Sequence, residues 1–528
     1  MNNPTQSIQT RIFNRIHSHK ALLILCFLST YLWGMLAHAY GFLHNNLSHD
    51  VLNAFTATPT EEIWKIELGR FFVPVYRMFF RGPLSLPWLI GIIGLFWLSI
   101  AVFLTARLLK LENKFAIIIV AGIMTTNITF ISQIATYLYE FDFNALALLL
   151  SIAAVTFWRT GIRWKQLILA PLCLLISLSI YQAYITVTAT LIIWLCIIDI
   201  IHQKSLRHIL FEGIVGLFVL AISMILYILL GKLIYSITGI SPQTRTDMFQ
   251  MSNILNSIFS FVSLLKPTLT NLYENVTHIA YPQPLLFVLL WSTSILAFIQ
   301  GIRLVFVKRF ELGRSLLLIL LLILLPFGMN CIYLFVSGHG MHNLMCYAAW
   351  FVYIFLLHFA LQYNANTPFS GRLAKSTRVL AYALTLFILF QNVVLANTCY
   401  VKKELEANAT LSTMTRVVAA LEQHEDYQYG ETPVAFIGFD DSSTIIPGFE
   451  RSSYITGMWA TTAIPQDTSV YYYNVYKTYF RYVLNYPINL CSDEVHAQLK
   501  NDPAVQVLPS FPDNDAIQMI NGVLVIKM

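Results

Sequence analysis

The sequence predicts an α-helical polytopic membrane protein of about eleven spans, with a small exported α/β domain at its C-terminal end. Three observations predict it. The 528 residues are 57% apolar and only 11% charged, with a mean hydropathy of +0.64, a composition that belongs in a bilayer. Apolar runs long enough to cross a hydrocarbon core, which takes ~20 helical residues, recur as far as residue 398. From about Cys399 charge returns and alternation replaces the long runs, the pattern of short strands and amphipathic helices. In such a chain a net charge of +6 reflects loops at a membrane surface and does not point to nucleic acid.

The predicted spans are 21–43, 86–106, 115–133, 143–158, 167–181, 184–201, 209–233, 284–306, 315–336, 345–363 and 379–398. Lys and Arg cluster in alternate connections, among them Arg107, Lys110, Lys114, Arg159, Arg163, Lys165, Arg303, Lys308 and Arg309. The short opposite connections at 134–142, 182–183 and 337–344 carry none. The positive-inside rule therefore puts the N-terminus inside and, after an odd number of spans, the C-terminus outside. The first apolar run is long enough to span and no small-residue cleavage pattern follows it, so it reads as an anchor rather than a cleaved signal peptide. Residues 1–398 thus read as a membrane domain and 399–528 as an exported one.

The first outer loop, 44–85, breaks the charge rule. Between His44 and Trp88 it holds Asp50, Glu61, Glu62, Glu67, Lys65, Arg70, Arg77 and Arg81. Positive charge on the translocated side wants a reason, and an anionic ligand supplies one. Thr58-Pro59-Thr60-Glu61 is a capping box with Pro at the first helical position, so a helix is expected to start there. It is expected to break near Pro74 and to stop at Gly82-Pro83. Interleaved aromatics and Arg suit short helices in the headgroup region, with rings inward and guanidiniums outward. Catalytic loop and plain interfacial anchor both fit this stretch.

Further along, IATYLYEFDF (134–143) sets Glu140 and Asp142 beside Tyr137 and Tyr139 at the outer mouth. Ionisable groups at that depth are functional, paired, or simply solvated in the turn. Tyr181 and Gln182 form an uncharged outer turn that either meets a sugar or, the favoured reading, anchors the interface. A second long outer loop, about 235–283, contains Arg245 and the amphipathic stretch NILNSIFSFVSLL. His339 and His342 lie in a short outer turn; with no Cys or carboxylate in that segment they are a weak metal pattern, leaving donors to a phosphate or a plain polar turn.

In the exported part, 410–423 and 493–500 read as helices, 433–439 as a buried strand, and 516–528 as a hairpin turned at Asn521-Gly522. No nucleophile elbow, phosphate loop or metal motif is visible there. Of seven cysteines, Cys26, Cys173, Cys196 and Cys331 lie in spans as packing residues, and Cys346 sits at a span edge. Cys399 and Cys491 both fall in the exported part, where an oxidising compartment lets them pair; a Cys399–Cys491 disulfide is expected.

An in-facing first span, an acidic residue after it in HNNLSHDVLNAF, then GRFFVPVYR, YEFDF, SIYQAY and an exported C-terminal domain together resemble the bacterial and phage-encoded serotype-converting O-antigen glucosyltransferases, of the GT-C class. The resemblance covers the whole layout through short motifs. It implies glucose transfer, on the periplasmic face of the bacterial inner membrane, from a polyprenyl (undecaprenyl) phosphate-glucose donor to lipid-linked O-antigen. A donor synthase and a flippase would be functional partners. It implies that Asp50 is the base and that Glu140 or Asp142 is a second acid. His49 stands before Asp50, so the first site departs from a paired-acid pattern.

The chemistry asks for little more. A lipid phosphate leaves without being protonated, so one carboxylate accepting the acceptor hydroxyl proton can suffice. Bidentate Arg suits the donor phosphate, which makes Arg70, Arg77, Arg81 and Arg245 candidates. Concerted displacement inverts the anomeric centre and needs neither cofactor nor metal. The alternatives are a GT-C transferase with another sugar or a lipid A acceptor, an O-antigen polymerase, or a transporter, which the lack of internal repeats and of midplane charges disfavours.

Overall fold

The computed structural model describes residues 4–44, 51–52, 54, 59–243, 261–278, 283–333, 342–362, 371–438, 449, 452, 455 and 470–528. Among these, eight helices are long and apolar enough to cross a membrane: His19–Leu43, Pro87–Leu108, Leu138–Trp158, Gln182–Ile201, Leu206–Thr238, Pro284–Val307, Leu312–Met329 and Arg372–Gln423. A pair bent by 40°, Lys114–Thr126 and Ile128–Thr136, and two shorter apolar helices, Lys165–Leu178 and Tyr347–Gln362, coincide with the other three predicted runs. The predicted runs at 143 and 184 reach spanning length because 3-10 turns at Leu138–Glu140 and Gln182–Tyr184 lead into them.

The first span, in helix α1 (Pro4–Leu43), and the Leu138–Trp158 span both pack on the Pro87–Leu108 helix. Buried hydroxyls inside the bundle turn back on their own helix, Ser99 onto the Leu95 carbonyl at 2.8 Å and Thr105 onto Ala101 at 2.9 Å. Those two hydroxyls are thereby satisfied without water. The bent pair shows the same economy. Asn127 accepts from the Phe130 amide at 3.3 Å and donates to the Ile123 and Met124 carbonyls at 3.1 and 2.9 Å, while the Tyr347 hydroxyl donates to Met124 at 2.7 Å. The backbone groups freed by the bend are thereby satisfied.

The first loop forms helices α2 (Pro59–Glu67) and α3 (Phe72–Phe80). α2 starts where the capping box predicts, although Thr58 lies outside the described residues. The break comes earlier than expected, at Leu68-Gly69, and Pro74 sits in the first turn of α3. There a missing N–H costs no helix bond, so Pro is tolerated. α3 stops at Gly82 as expected, whose amide bonds the Arg77 carbonyl at 2.8 Å and whose φ is +69°. α3 departs from the expectation in part: the Tyr76 ring is buried as expected, but other apolar side chains face outward and the guanidinium faces inward. Met78 and Phe79 are 79% and 74% exposed, whereas the Arg77 side chain is 3% exposed. A guanidinium can turn inward where carboxylates pair with it, as Glu61 and Glu62 do with Arg77.

The C-terminal part is a four-stranded sheet in the order β2-β1-β4-β3: β1 (Pro433–Ile437) runs parallel to β2 (Asn489–Leu490) and to β4 (Val523–Lys527), and β4 pairs antiparallel with β3 (Ile517–Ile520). The β3–β4 turn has positive φ at both Asn521 (52°) and Gly522 (78°), as an Asn-Gly hairpin requires. The helix Asp493–Lys500 also stands where expected, capped by Ser492. One helix, Arg372–Gln423, serves both parts. Its Ile388, Leu395 and Tyr400 lie in the bundle core and its Met414, Val417 and Leu421 in the core of the sheet domain. The predicted boundary at 398/399 therefore falls inside a continuous helix. The structure does not form the expected Cys399–Cys491 disulfide. Cys399 faces the bundle core from that helix, whereas Cys491 packs among the clusters of the sheet domain.

Candidate active site

α2 carries Glu61 and Lys65 four residues apart, hence on one face, with Lys65 Nζ 3.3 Å from Glu61. The Lys65 ammonium reaches on to Glu140 at 2.6 Å, and Arg70, on the turn after α2, donates to the same Glu140 oxygen, also at 2.6 Å. On the other flank Arg77 of α3 donates to Glu61 through both terminal nitrogens and to Glu62 at 3.0 Å. Opposite charges thus alternate in one line: Glu62, Arg77, Glu61, Lys65, Glu140, Arg70. A separate pair lies beside it, with Arg81 donating to Asp142 at 2.9 Å and to the Leu84 and Tyr139 carbonyls, both at 2.6 Å.

Charges this buried are tolerated because each is paired. Burial alone would raise the Glu61 carboxyl, but the Lys65 and Arg77 charges outweigh it and hold Glu61 below the usual carboxylate range. Burial would likewise lower Arg70 and Arg77; Glu140 and the Glu61–Glu62 pair respectively outweigh it and keep both cations firmly protonated. Burial pushes the Tyr181 phenol well up, so it stays a neutral surface.

The turn that aims Arg70 is built from two distant segments. Gln182 donates to the Leu68 carbonyl at 2.9 Å and to the Tyr227 hydroxyl at 2.7 Å, and that hydroxyl donates to the Gly69 carbonyl at 3.1 Å. Only glycine fits there: φ at Gly69 is +72°, and a Cβ would stand 2.2 Å from the Tyr227 oxygen. The Arg70 guanidinium lies over the Tyr181 ring at 4.9 Å, a cation–π contact. The GRFF, YEFDF and SIYQAY stretches therefore meet at one place.

The three described candidate arginines differ in how fully they are engaged. Arg81 has all three nitrogens bonded and a side chain 1% exposed. Arg77 has both terminal nitrogens on carboxylates and, like Arg70, an Nε with no hydrogen-bond partner among the described residues. Arg70 is 16% exposed, ends the line of charges, and its Nε has no hydrogen-bond partner among the described residues. Asp50, Arg245 and His339 lie outside the described residues. His342 is half-buried, with its carbonyl accepting from the Met345 amide at 2.9 Å, and its neighbour Asn343 accepts from Thr129 at 2.9 Å. Sequence reasoning used Glu61 only as a cap and passed over Lys65 and Tyr227. The signal for Lys65 was available: it is the loop's single Lys, at i+4 from Glu61. Among the described residues no group of three or more His, Cys, Asp or Glu could hold a metal.

Comparison with known proteins gives one finding. No curated protein and no solved structure matches the chain. The profile of the glucosyl transferase GtrII family matches residues 39–357, from the end of the first span through the first loop, Glu140, Tyr181 and Tyr227 to the helix that ends at Gln362. A match over more than half of the chain, taking in every element of this buried charge network, carries the family: the chain belongs to the glucosyl transferase GtrII family and is a membrane-embedded glycosyltransferase.

Proposed function

We propose that the protein transfers glucose, with inversion, from a polyprenyl phosphate-glucose donor to lipid-linked O-antigen at the periplasmic face of the inner membrane. The observation that carries the reading is the pairing around Arg70: the most exposed of the three described guanidiniums, lying over the Tyr181 ring and beside a Glu140 already neutralised by Lys65. A donor phosphate placed against Arg70 gains a charge-assisted bond without stranding Glu140. Arg77 and Arg81 then serve to hold the loop, and the phosphate contact falls to Arg70. Glu140, bridged by two cations, suits a fixed electrostatic role better than proton transfer. Asp50 remains the candidate base, taking the proton of the acceptor hydroxyl as that oxygen attacks the anomeric carbon and the lipid phosphate departs.

The test is composition and linkage analysis of O-antigen from cells supplied with a polyprenyl phosphate-glucose synthase and expressing wild type, Asp50→Asn or Arg70→Ala. A new glucose branch is expected with wild type, none with Asp50→Asn, and a reduced one with Arg70→Ala. A branch from Asp50→Asn at wild-type level would remove Asp50 as base. No branch from well-expressed wild type would point to another donor or acceptor.

A further inference from the structure

The family match ends at residue 357, so it gives no role to the C-terminal α/β domain. The packing of Val51 and Leu52 gives one. These successive residues are 3% and 2% exposed and face different bodies. Leu52 belongs to the core of the α/β domain, with Met414, Val417, Phe436 and Tyr476. Val51 packs with Ala54 against Tyr139. Tyr139 is in turn tied to the charge network, with Lys65 Nζ 5.0 Å from its ring centroid and its carbonyl accepting from Arg81, and it immediately precedes Glu140.

We propose that Leu52 and Val51 are a latch through which the C-terminal α/β domain positions Tyr139 and Glu140, making that domain a positioning part of the transferase site. Both are positioning residues, since they act through Tyr139 and touch no reacting atom. A buried aromatic held from two sides has little freedom to shift, and the Glu140 backbone follows it. Misplacement of a positioned group by an ångström is enough to cost a large factor in rate. The kinetic arm of the test rests on the glucose-transfer reading above; the structural arm does not.

The test uses the full chain in lipid nanodiscs, comparing wild type, Leu52→Ala, Leu52→Met and Val51→Ala. Hydrogen exchange is read at the Tyr139 and Glu140 amides and within the α/β domain, beside kcat and donor KM. With Leu52→Ala and with Val51→Ala, exchange at Tyr139–Glu140 is expected to rise and kcat to fall about tenfold at a donor KM within about twofold of wild type. Leu52→Met is expected to restore both. Val51→Ala is expected to leave the α/β domain as protected as in wild type, which separates the latch from loss of domain stability. Unchanged exchange at Tyr139–Glu140 in both alanine variants would overturn the proposal, as would a kcat that falls only with α/β-domain protection. Should wild type transfer no glucose, the functional reading fails, while the exchange data still decide the latch.

Discussion

Arg70 and Arg77 bring the same charge into the same loop, yet their neighbours give them opposite work. Arg77 is enclosed and bonded to two carboxylates, so Arg77→Ala leaves the buried Glu61 with Lys65 as its cation and takes from the part-buried Glu62 the guanidinium that it holds. A loss of about 3–5 kcal/mol is expected, read as a lower midpoint in denaturant for the first loop. Arg70→Ala leaves Glu140 still paired with Lys65, so a smaller loss of stability and a donor KM raised at least about tenfold are expected. Arg70→Lys should recover little, because an ammonium neither forks onto a phosphate nor stacks flat on Tyr181. Equal KM values for Arg70→Ala and wild type would move the phosphate elsewhere. The Glu61 shift also sets a pH sign. Its carboxyl is held below the ordinary value of 4.5, so its contribution is complete above that value and is lost as pH falls through the folded-state pKa. The loop should loosen on acidification below pH 4.5, and Glu61→Gln should flatten that slope.

At the scale of the element, the turn between α2 and α3 is the tightest constraint. Gly69→Ala adds the cost of a left-handed alanine, about 1–2 kcal/mol, and drives its methyl into the Tyr227 hydroxyl. Transfer is expected to fall sharply while the protein still inserts, and Tyr227→Phe in the same chain should recover part of it by making room; no recovery would mean that the backbone strain alone is at fault. This turn also shows what was legible. The start of α2 at Pro59, the Gly82 stop and the Asn521-Gly522 hairpin were readable because each rests on residues adjacent in sequence. So were the eleven apolar runs, since a span needs only length and hydropathy. The Leu68-Gly69 break was not, because Gln182 and Tyr227 hold it from 114 and 158 residues away. The orientation of Arg77 was missed for a related reason: its carboxylate partners were in view, but a rule for solvated charges was applied to a guanidinium that pairs with them inside the fold. The shift in composition near Cys399 marks where the long helix changes surroundings, and its backbone continues unbroken.

Among the described residues the bundle core and the clusters of the sheet domain are distinct, with that helix and Leu52 among the links between the two parts, so the two can lose stability at different pH. His496 lies in the α/β domain, 4% exposed, its Nε2 donating to the Phe436 carbonyl at 3.0 Å. Burial and, less strongly, the Lys500 charge depress its pKa below 6.5, against the opposing pull of that hydrogen bond and of Asp493. The folded domain therefore favours the neutral ring. The stability this confers is full above pH 6.5 and is lost as pH falls toward the folded-state value, with a slope of up to about 1.4 kcal/mol per pH unit for one proton. Hydrogen exchange across β1 should accelerate from pH 7 to pH 5, after correction for the intrinsic rate, while the Leu138–Trp158 helix stays protected. His496→Gln keeps a donor for Phe436 and removes the titration, so its β1 protection should be nearly independent of pH over that range. If the α/β domain positions Tyr139 through Leu52, wild-type kcat should decline over the same interval and the decline should be smaller in His496→Gln; a wild-type rate that holds while β1 opens would show that the two cores work independently.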